Sequence, residues 1–292
     1  MSDYKVITDS AGDLTQEMVD ELDVEVIPMD FTIGSDTFKN YPDYRCISPH
    51  DFYTRIAAGE PSKTTQIGPS VFIETFEKYL KQGTDVLYIG FSSGMSGTYS
   101  NSMMAAKKLS EKYPDRKVLT ADSRSASLGE GLLVWDAVQK KKTGASIEEV
   151  QQWVQQNNVR MHHWFTVDDL NHLKRGGRLS ASAALMGTLL GIKPVLQVNG
   201  YGKLEVTDKV RGRKQALDML VKHMEKTQEN AAEQYVFISH TDYLEGAEYV
   251  KEKVENEFHP KEVKIGYMGP IIGAHTGTGL IALFYLGSVK KH

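Results

Sequence analysis

The chain has 292 residues, a formal net charge of −4 and a single cysteine, Cys46. That length suits two domains of ordinary size, and the charge gives no strong pull toward nucleic acid or an acidic membrane surface. One thiol excludes an intrachain disulfide and a cysteine zinc cluster.

The N-terminal MSDYKVITDS has no charged leader followed by an apolar stretch. The longest apolar runs, such as LIALFYL, fall far short of the roughly 20 residues a bilayer span needs. The expectation is a soluble, cytoplasmic protein.

YKVIT reads as a strand, and DSAGDL opens the helical segment LTQEMVDELD. VEVIPMDFTI and SDTFKN read as strands. SPHDFYTRIAAG is a helix capped by Ser48, and SVFIETFEKYLKQG is a helix ending at Gly83. DVLYIGF is a buried strand leading into the loop SSGMSG, after which TYSNSMMAAKKLSEKYP is helical. KVLTAD and GEGLLVWDAVQKKKTG give another strand and helix. Strands alternating with helices predict a doubly wound, mostly parallel sheet.

Past about residue 155 the texture changes. VRMHHWFTV reads as a strand, DDLNHLKRGG as a helix, and KPVLQVNGYGKLEVTDKV as a hairpin around Asn199-Gly200. The helix RKQALDMLVKHMEK leads to the strand YVFISH, a further helix and the strand VKIGYM. GPIIGAHTGTGLIALFYLG reads as a glycine loop before a final strand. The fold class expected is α/β in two domains: residues 1–156 with the parallel sheet, and residues 157–292 as an α+β domain. A ligand cleft is expected between them, since clefts form at strand carboxyl ends and domain interfaces.

Six segments carry candidate chemistry. In ITDSAGDL, Ser10 with Asp13 fits a capping box, and no second acid stands one or two positions from Asp9 as a phosphoaspartate or metal site would want. PSKTTQIGPS places Thr64, Thr65 and Gln66 in a turn, where threonine hydroxyls often bond their own backbone. In SSGMSGTY, Gly94 and Gly97 let backbone approach a ligand, and Ser96 stands at a helix start with free N–H groups. A Walker loop would need a lysine there, and a nucleophile elbow needs Gly-x-Ser-x-Gly, which Gly94-Met95-Ser96-Gly97 misses by one position. A hydroxyl-lined anion site remains. In GAHTGTG, His275 stands among glycines, either as a structural group or as a ligand contact. In LNHLKRGGRLS, Arg178 follows a double glycine, and Arg211 and Arg213 repeat the theme in KVRGRKQA. These arginines either complement helix ends or meet an anion or a partner. The other histidines, His162, His163, His172 and His240, show no metal spacing.

Seven motifs occur in order across the whole chain: ITDSAGDL, TTQ before a helix, SSGMSGTY, DSRSASLGEG, LNHLKRGGRLS, GIKPVL and IGAHTGTG. Together they resemble the DegV family, fatty-acid-binding proteins also called FakB, the carrier subunits of bacterial fatty acid kinase. One departure is TTQIGPS, where the family usually has Thr-Ser-Gln-Pro-Ser; Ile67-Gly68 interrupts that pattern. The resemblance implies one long-chain fatty acid buried between the domains, its carboxylate held by Thr64, Ser96 and His275. Thr65, Ser93 and Gly94 are counted as ligand-contacting neighbours. It also implies a separate ATP-binding kinase that makes acyl-phosphate, with Arg178 in a motif tied to kinase engagement; the two arginine clusters extend the expected docking surface to Arg211 and Arg213. No cofactor, metal or catalytic residue is implied. The segment ASAALMGTLLGI (181–192) is a candidate tunnel lining, with ordinary helix packing as the alternative. The rival function is a serine hydrolase or acyltransferase using Ser96 and His275.

Overall fold

The computed structural model describes residues 4–168, 170–179 and 191–290. Of the candidate tunnel segment 181–192, residues 181–190 lie outside the described residues. The chain builds three sheets. The first has the order β2-β1-β6-β7, from Glu25–Ile27, Tyr4–Asp9, Asp85–Gly90 and Val118–Asp122. All its pairings are parallel. The second is a small antiparallel sheet, β4-β3-β5, from Asp36–Asn40, Met29–Ile33 and Ser62–Thr65.

The third is a mixed sheet with the order β10-β9-β8-β13-β11-β12. Its strands are β8 (Met161–Thr166), β9 (Ile192–Val198), β10 (Leu204–Arg211), β11 (Tyr235–His240), β12 (Glu262–Tyr267) and β13 (Ile281–Leu286). Its one parallel pair is β11 with β12. The expected two-domain α/β class is what the fold shows.

The helices are α1 (Gln16–Leu22), α2 (Pro49–Ala57), α3 (Pro69–Leu80), α4 (Thr98–Lys112), α5 (Leu128–Lys142), α6 (Ile147–Asn157), α7 (Asn171–Arg175), α8 (Arg213–Thr227), α9 (Leu244–Phe258) and α10 (Pro270–Thr276). Residues of α5 from Leu128 to Val138 are buried almost without interruption. A helix apolar all round belongs inside a core. Its Trp135 packs on Tyr235 and Phe237 of β11, and one apolar cluster runs from Val6 and Ile89 through α5 to Phe165 and Phe284. The parallel sheet and the mixed sheet therefore share a core around α5.

Several local expectations need correction. VEVIPMDFTI is two strands in two sheets: Pro28 has no N–H for a ladder and marks the crossing from β2 to β3. Ser10 is not a helix cap. Asp9 caps a single 3-10 turn, Ser10 Oγ accepts from Met29 N–H at 2.9 Å, and α1 is capped by Thr15. Thr64 and Thr65 are in a strand, β5, not a turn. Helix α6, which the chain-order reading passes over, carries a complete capping box from Ser146 and Glu149.

The glycine loop before the last strand is instead helix α10, with Pro270 at its first position. Its Gly273 is a close-approach residue, because a Cβ there would stand 2.3 Å from Tyr53 Oη of α2. Ile67, which interrupts the family pattern, is buried. It ties β5 to α4 through Thr98 Oγ1 (3.3 Å) and Asn101 Nδ2 (2.8 Å).

Candidate functional site

A cavity of about 380 Å³ lies between the sheets. Phe91, Met95, Ser96 and Gly97 line it from the carboxyl end of β6, where open α/β sheets place ligands. Phe165, Leu280, Ala282 and Phe284 form a wall from the mixed sheet, and Met268, Ile271 and Ile272 come from α10 and the residues before it. Its polar groups gather mainly at one end: Thr64, Gln66, Ser96, Arg178 and His275.

That end is built from four separate segments. β5 is antiparallel to β3, so alternate residues face α10. Ser62 Oγ donates to Ala274 C=O at 3.1 Å, and Thr64 Oγ1 lies 2.8 Å from His275 Nε2. Thr65, one residue on, is exposed and is not part of the lining. Ser96 stands two residues before the start of α4. Its Oγ accepts from Thr98 N–H at 3.2 Å and is 2.9 Å from Thr98 Oγ1. Gly97 lets Gln66 lie against the same turn, since a Cβ there would meet Gln66 Oε1 at 2.2 Å.

Most hydroxyls of the serine-rich loop are used within the fold. Ser92 Oγ donates to Gly202 C=O at 2.8 Å, and Ser93 Oγ donates to Asp122 at 2.5 Å. Gly94 packs against the backbone of Tyr201 and Gly202. Ser93 and Gly94 thus serve contacts inside the protein, and neither lines the cavity.

His275 is near the end of α10, with its Nδ1 edge against Gly176. Burial, and then the nearby Arg178 guanidinium, lower its pKa to about 4. The imidazole is therefore neutral at physiological pH. Thr64, not Ser96, is its hydrogen-bond partner, so the Ser–His pair a hydrolase would use is not assembled. Outside the cavity, Thr64, Arg178 and His275 also line a wider polar cleft of about 800 Å³ with Lys63, His172 and Arg175. Arg211 is exposed on β10. Arg213 is drawn inward: its guanidinium bonds Gly279 C=O and lies over the Tyr243 ring at 4.9 Å.

The sequence reading missed the other end of the cavity and what stands behind it. Ser127 and His163 line it there, and each is almost wholly buried. Ser127 Oγ donates to Asp13 at 2.5 Å and is 2.9 Å from Ser239 Oγ. Asp13 belongs to a set of buried acids with Asp9 and Glu130. Asp9 accepts from Tyr88 Oη (2.5 Å), Phe91 N–H (3.1 Å) and Ala11 N–H (3.0 Å), and Glu130 accepts from Thr8 (2.9 Å). Burial raises the pKa of all three, Asp13 to about 8 and Glu130 well above its usual value. Among the described residues no group of acids, histidines and cysteines has the arrangement of a metal site. No helix among them is long and apolar enough to cross a membrane.

Comparison with known proteins places this geometry. A family model described as "Uncharacterised protein, DegV family" matches residues 3–288. A DegV domain-containing protein of Clostridium perfringens is 43% identical over 291 residues, covering 100% of both chains. Another, from Lactococcus lactis, is 33% identical and covers 99% of both chains. Among solved structures, a fatty-acid-binding DegV family protein of Thermus thermophilus has a TM-score of 0.88 at 27% identity, covering 99% of this chain and 100% of that one. A DegV family protein of Ruminococcus gnavus, described with vaccenic acid, has a TM-score of 0.87 at 25% identity and covers 97% of this chain and 99% of that one. With this fold, this cavity and a family match over nearly its full length, the chain belongs to the DegV family.

Proposed function

We propose that the protein is a fatty-acid carrier that holds one long-chain acid with its tail in the cavity and its carboxylate at Thr64, Ser96 and His275. The observation that carries this reading is the shape of the cavity: an apolar chamber whose polar donors gather at the end that also faces a wide cleft. The fatty-acid-binding relatives from Thermus thermophilus and Ruminococcus gnavus support it. A carboxylate is an acceptor and needs donors. Two hydroxyls and a neutral imidazole surround it without a fixed full charge, one hydrogen already being shared between Thr64 and His275, and Arg178 at the rim adds a cation beside them.

The tail supplies the affinity. Burying about fourteen methylenes at about 0.8 kcal/mol each gives an upper bound near 11 kcal/mol. Ordering the chain and losing its freedom remove several kcal/mol of that. The head group is then free to serve orientation.

The role of such a carrier is to present the carboxylate to a separate ATP-dependent kinase, as a FakB-type subunit does. The polar cleft outside Thr64 and His275 leaves the head group approachable from one side, and Arg178 and Arg211 are exposed for docking. The domain division at residue 156 is proposed with it: every strand of the first two sheets precedes that point and every strand of the third follows it.

Organic extraction of the purified protein followed by mass spectrometry tests the carrier reading. It should yield close to one acyl chain per protein, and added acid should raise Tm by mass action. Absence of both would overturn the reading. For the partner, Arg211→Ala, at an exposed residue that lines neither the cavity nor the cleft, should lower kinase-coupled turnover while the acid still binds; unchanged turnover would remove Arg211 from the docking surface.

A further inference from the structure

Ser96 and Thr98 form a pair of hydroxyls at the cavity wall, and a third group decides which of them donates to the other. Thr98 opens α4 and is 0% exposed, whereas Ser96 is half-buried and lines the cavity. Their oxygens are 2.9 Å apart, a distance that fits either direction. Thr98 Oγ1 also accepts the N–H of Ile67 at 3.3 Å. Among the described residues its one other partner is Ser96 Oγ, so that oxygen is the acceptor within reach of the Thr98 hydrogen. The reverse direction would bury a hydroxyl hydrogen with no acceptor, which costs more than an ordinary hydrogen bond contributes.

With Thr98 donating, Ser96 Oγ receives two hydrogens, one from the Thr98 hydroxyl and one from the Thr98 N–H at 3.2 Å. A serine oxygen has two lone pairs and one hydrogen. Both lone pairs are taken by the same neighbour, and what Ser96 has left on the cavity wall is its hydrogen. Hydrogen bonds in a chain polarise one another, so a hydroxyl that receives two is a better donor. The anchor of this chain, Ile67, stands two residues past β5, the strand that carries Thr64. It is 5% exposed, and its C=O accepts from Asn101 Nδ2 of α4 at 2.8 Å. Both polar groups of the Ile67 backbone are thus held by α4, and the contact that orients Thr98 also ties the segment of Thr64 to that of Ser96.

We propose that Thr98 is the positioning residue of the head-group site: anchored by Ile67 N–H, it donates to Ser96 and leaves Ser96 a hydrogen donor only, which favours a carboxylate over an uncharged head group. This rests on the carrier reading above and adds the residue that orients one of its three polar groups. Thr98 acts through Ser96, since it is wholly buried and does not line the cavity.

The test is displacement of a fluorescent fatty acid by hexadecanoic acid and by its methyl ester, read as the ratio of the two affinities. The ester keeps the tail and loses the charge, so a merely structural change moves both affinities and leaves the ratio. Thr98→Val keeps the shape and removes the donor; it should lower the ratio at least about threefold, because bonds to a charged group are the stronger ones. Thr98→Ser, which keeps the hydroxyl, should hold the ratio within about twofold of the unaltered protein. In a Ser96→Ala background, Thr98→Val should lower it by less than about twofold further, as expected of coupled residues. An unchanged ratio in Thr98→Val, a Thr98→Ser as impaired as Thr98→Val, or full additivity with Ser96→Ala overturns the positioning role and leaves the carrier reading standing. If Ser96→Ala alone leaves the ratio unchanged, the head-group placement falls and this inference with it. If hexadecanoic acid does not bind, the carrier reading itself falls. Should Thr98→Val fail to fold, Thr98→Cys, whose S–H is a weak donor, takes its place under the same outcomes.

Discussion

Two polar clusters flank the cavity, and the fold treats them in opposite ways. At the outer end, Thr64, Ser96 and His275 are only partly buried, come from three separate segments and make few bonds to one another. Behind the inner end, Asp9, Asp13 and Glu130 are wholly buried, and each is bonded to a hydroxyl of the core. The outer groups are neutral donors facing space. The inner groups are acids that burial pushes toward their neutral form. Under the proposed function the outer atoms serve a ligand and the inner ones the fold, and what tells them apart is their surroundings, not residue type.

The largest effect that sharpens this contrast is on stability. Asp9→Ala strands the Tyr88 hydroxyl and two backbone N–H groups, at about 1–3 kcal/mol for each unsatisfied group. Urea denaturation should show a loss of about 3 kcal/mol or more. Thr64→Val, by contrast, should stay within about 1 kcal/mol of the unaltered protein. Equal losses in the two variants would erase the distinction.

Next comes pH. Between the unfolded carboxyl value of 3.8 and about 8, the folded protein keeps the Asp13 proton and the unfolded chain does not. Stability from this group is complete below the lower value and is lost as pH rises through the window, by at most about 1.4 kcal/mol per pH unit for one proton. Asp13→Asn should flatten that decline when unfolding is followed from pH 4 to 8. A decline as steep as before would mean that Asp13 is ionised in the folded state.

Binding separates the clusters on a smaller scale. Ser96→Ala should weaken fatty-acid binding about tenfold or somewhat more, as loss of a charge-assisted bond of about 1.5–3 kcal/mol implies. Kinase-coupled turnover should drop further, because positioning is lost as well. A titration against a fluorescent acid reads the first and a coupled assay the second.

The finest test watches His275 by NMR. Its ring should titrate near pH 4 in the free protein, as burial and Arg178 dictate, and adding a fatty acid should move the midpoint up because a carboxylate favours the imidazolium. A midpoint near 6.5 in the free protein would show a solvated ring.

Much of this architecture is legible in the sequence, for stated reasons. Strands such as DVLYIG and YVFISH are short buried runs that periodicity finds easily, and Ser48 announces its helix. What misleads is local composition serving tertiary ends. Glycine in α10 admits Tyr53 and makes a helix look like a loop, and the polar SKTT of β5 gains its strand state from pairing with β3. Ser96 and His275 stand out as polar residues in glycine-rich segments, whereas Thr64 is singled out only by the family resemblance. Nothing adjacent in sequence joins Asp9 and Asp13 to Glu130, or His163 to Ser127. Their meeting depends on how α5 is placed between two sheets, and pattern reading carries no such information.

That placement of α5 also bears on how such a protein can change over evolutionary time. A helix whose sides belong to two different sheets cannot be inherited with one of them and leave the other intact. Either half made alone would expose a broad apolar surface around Leu132, Trp135 or Phe237. A chain built this way offers no clean seam at which one half could be exchanged and the other left intact.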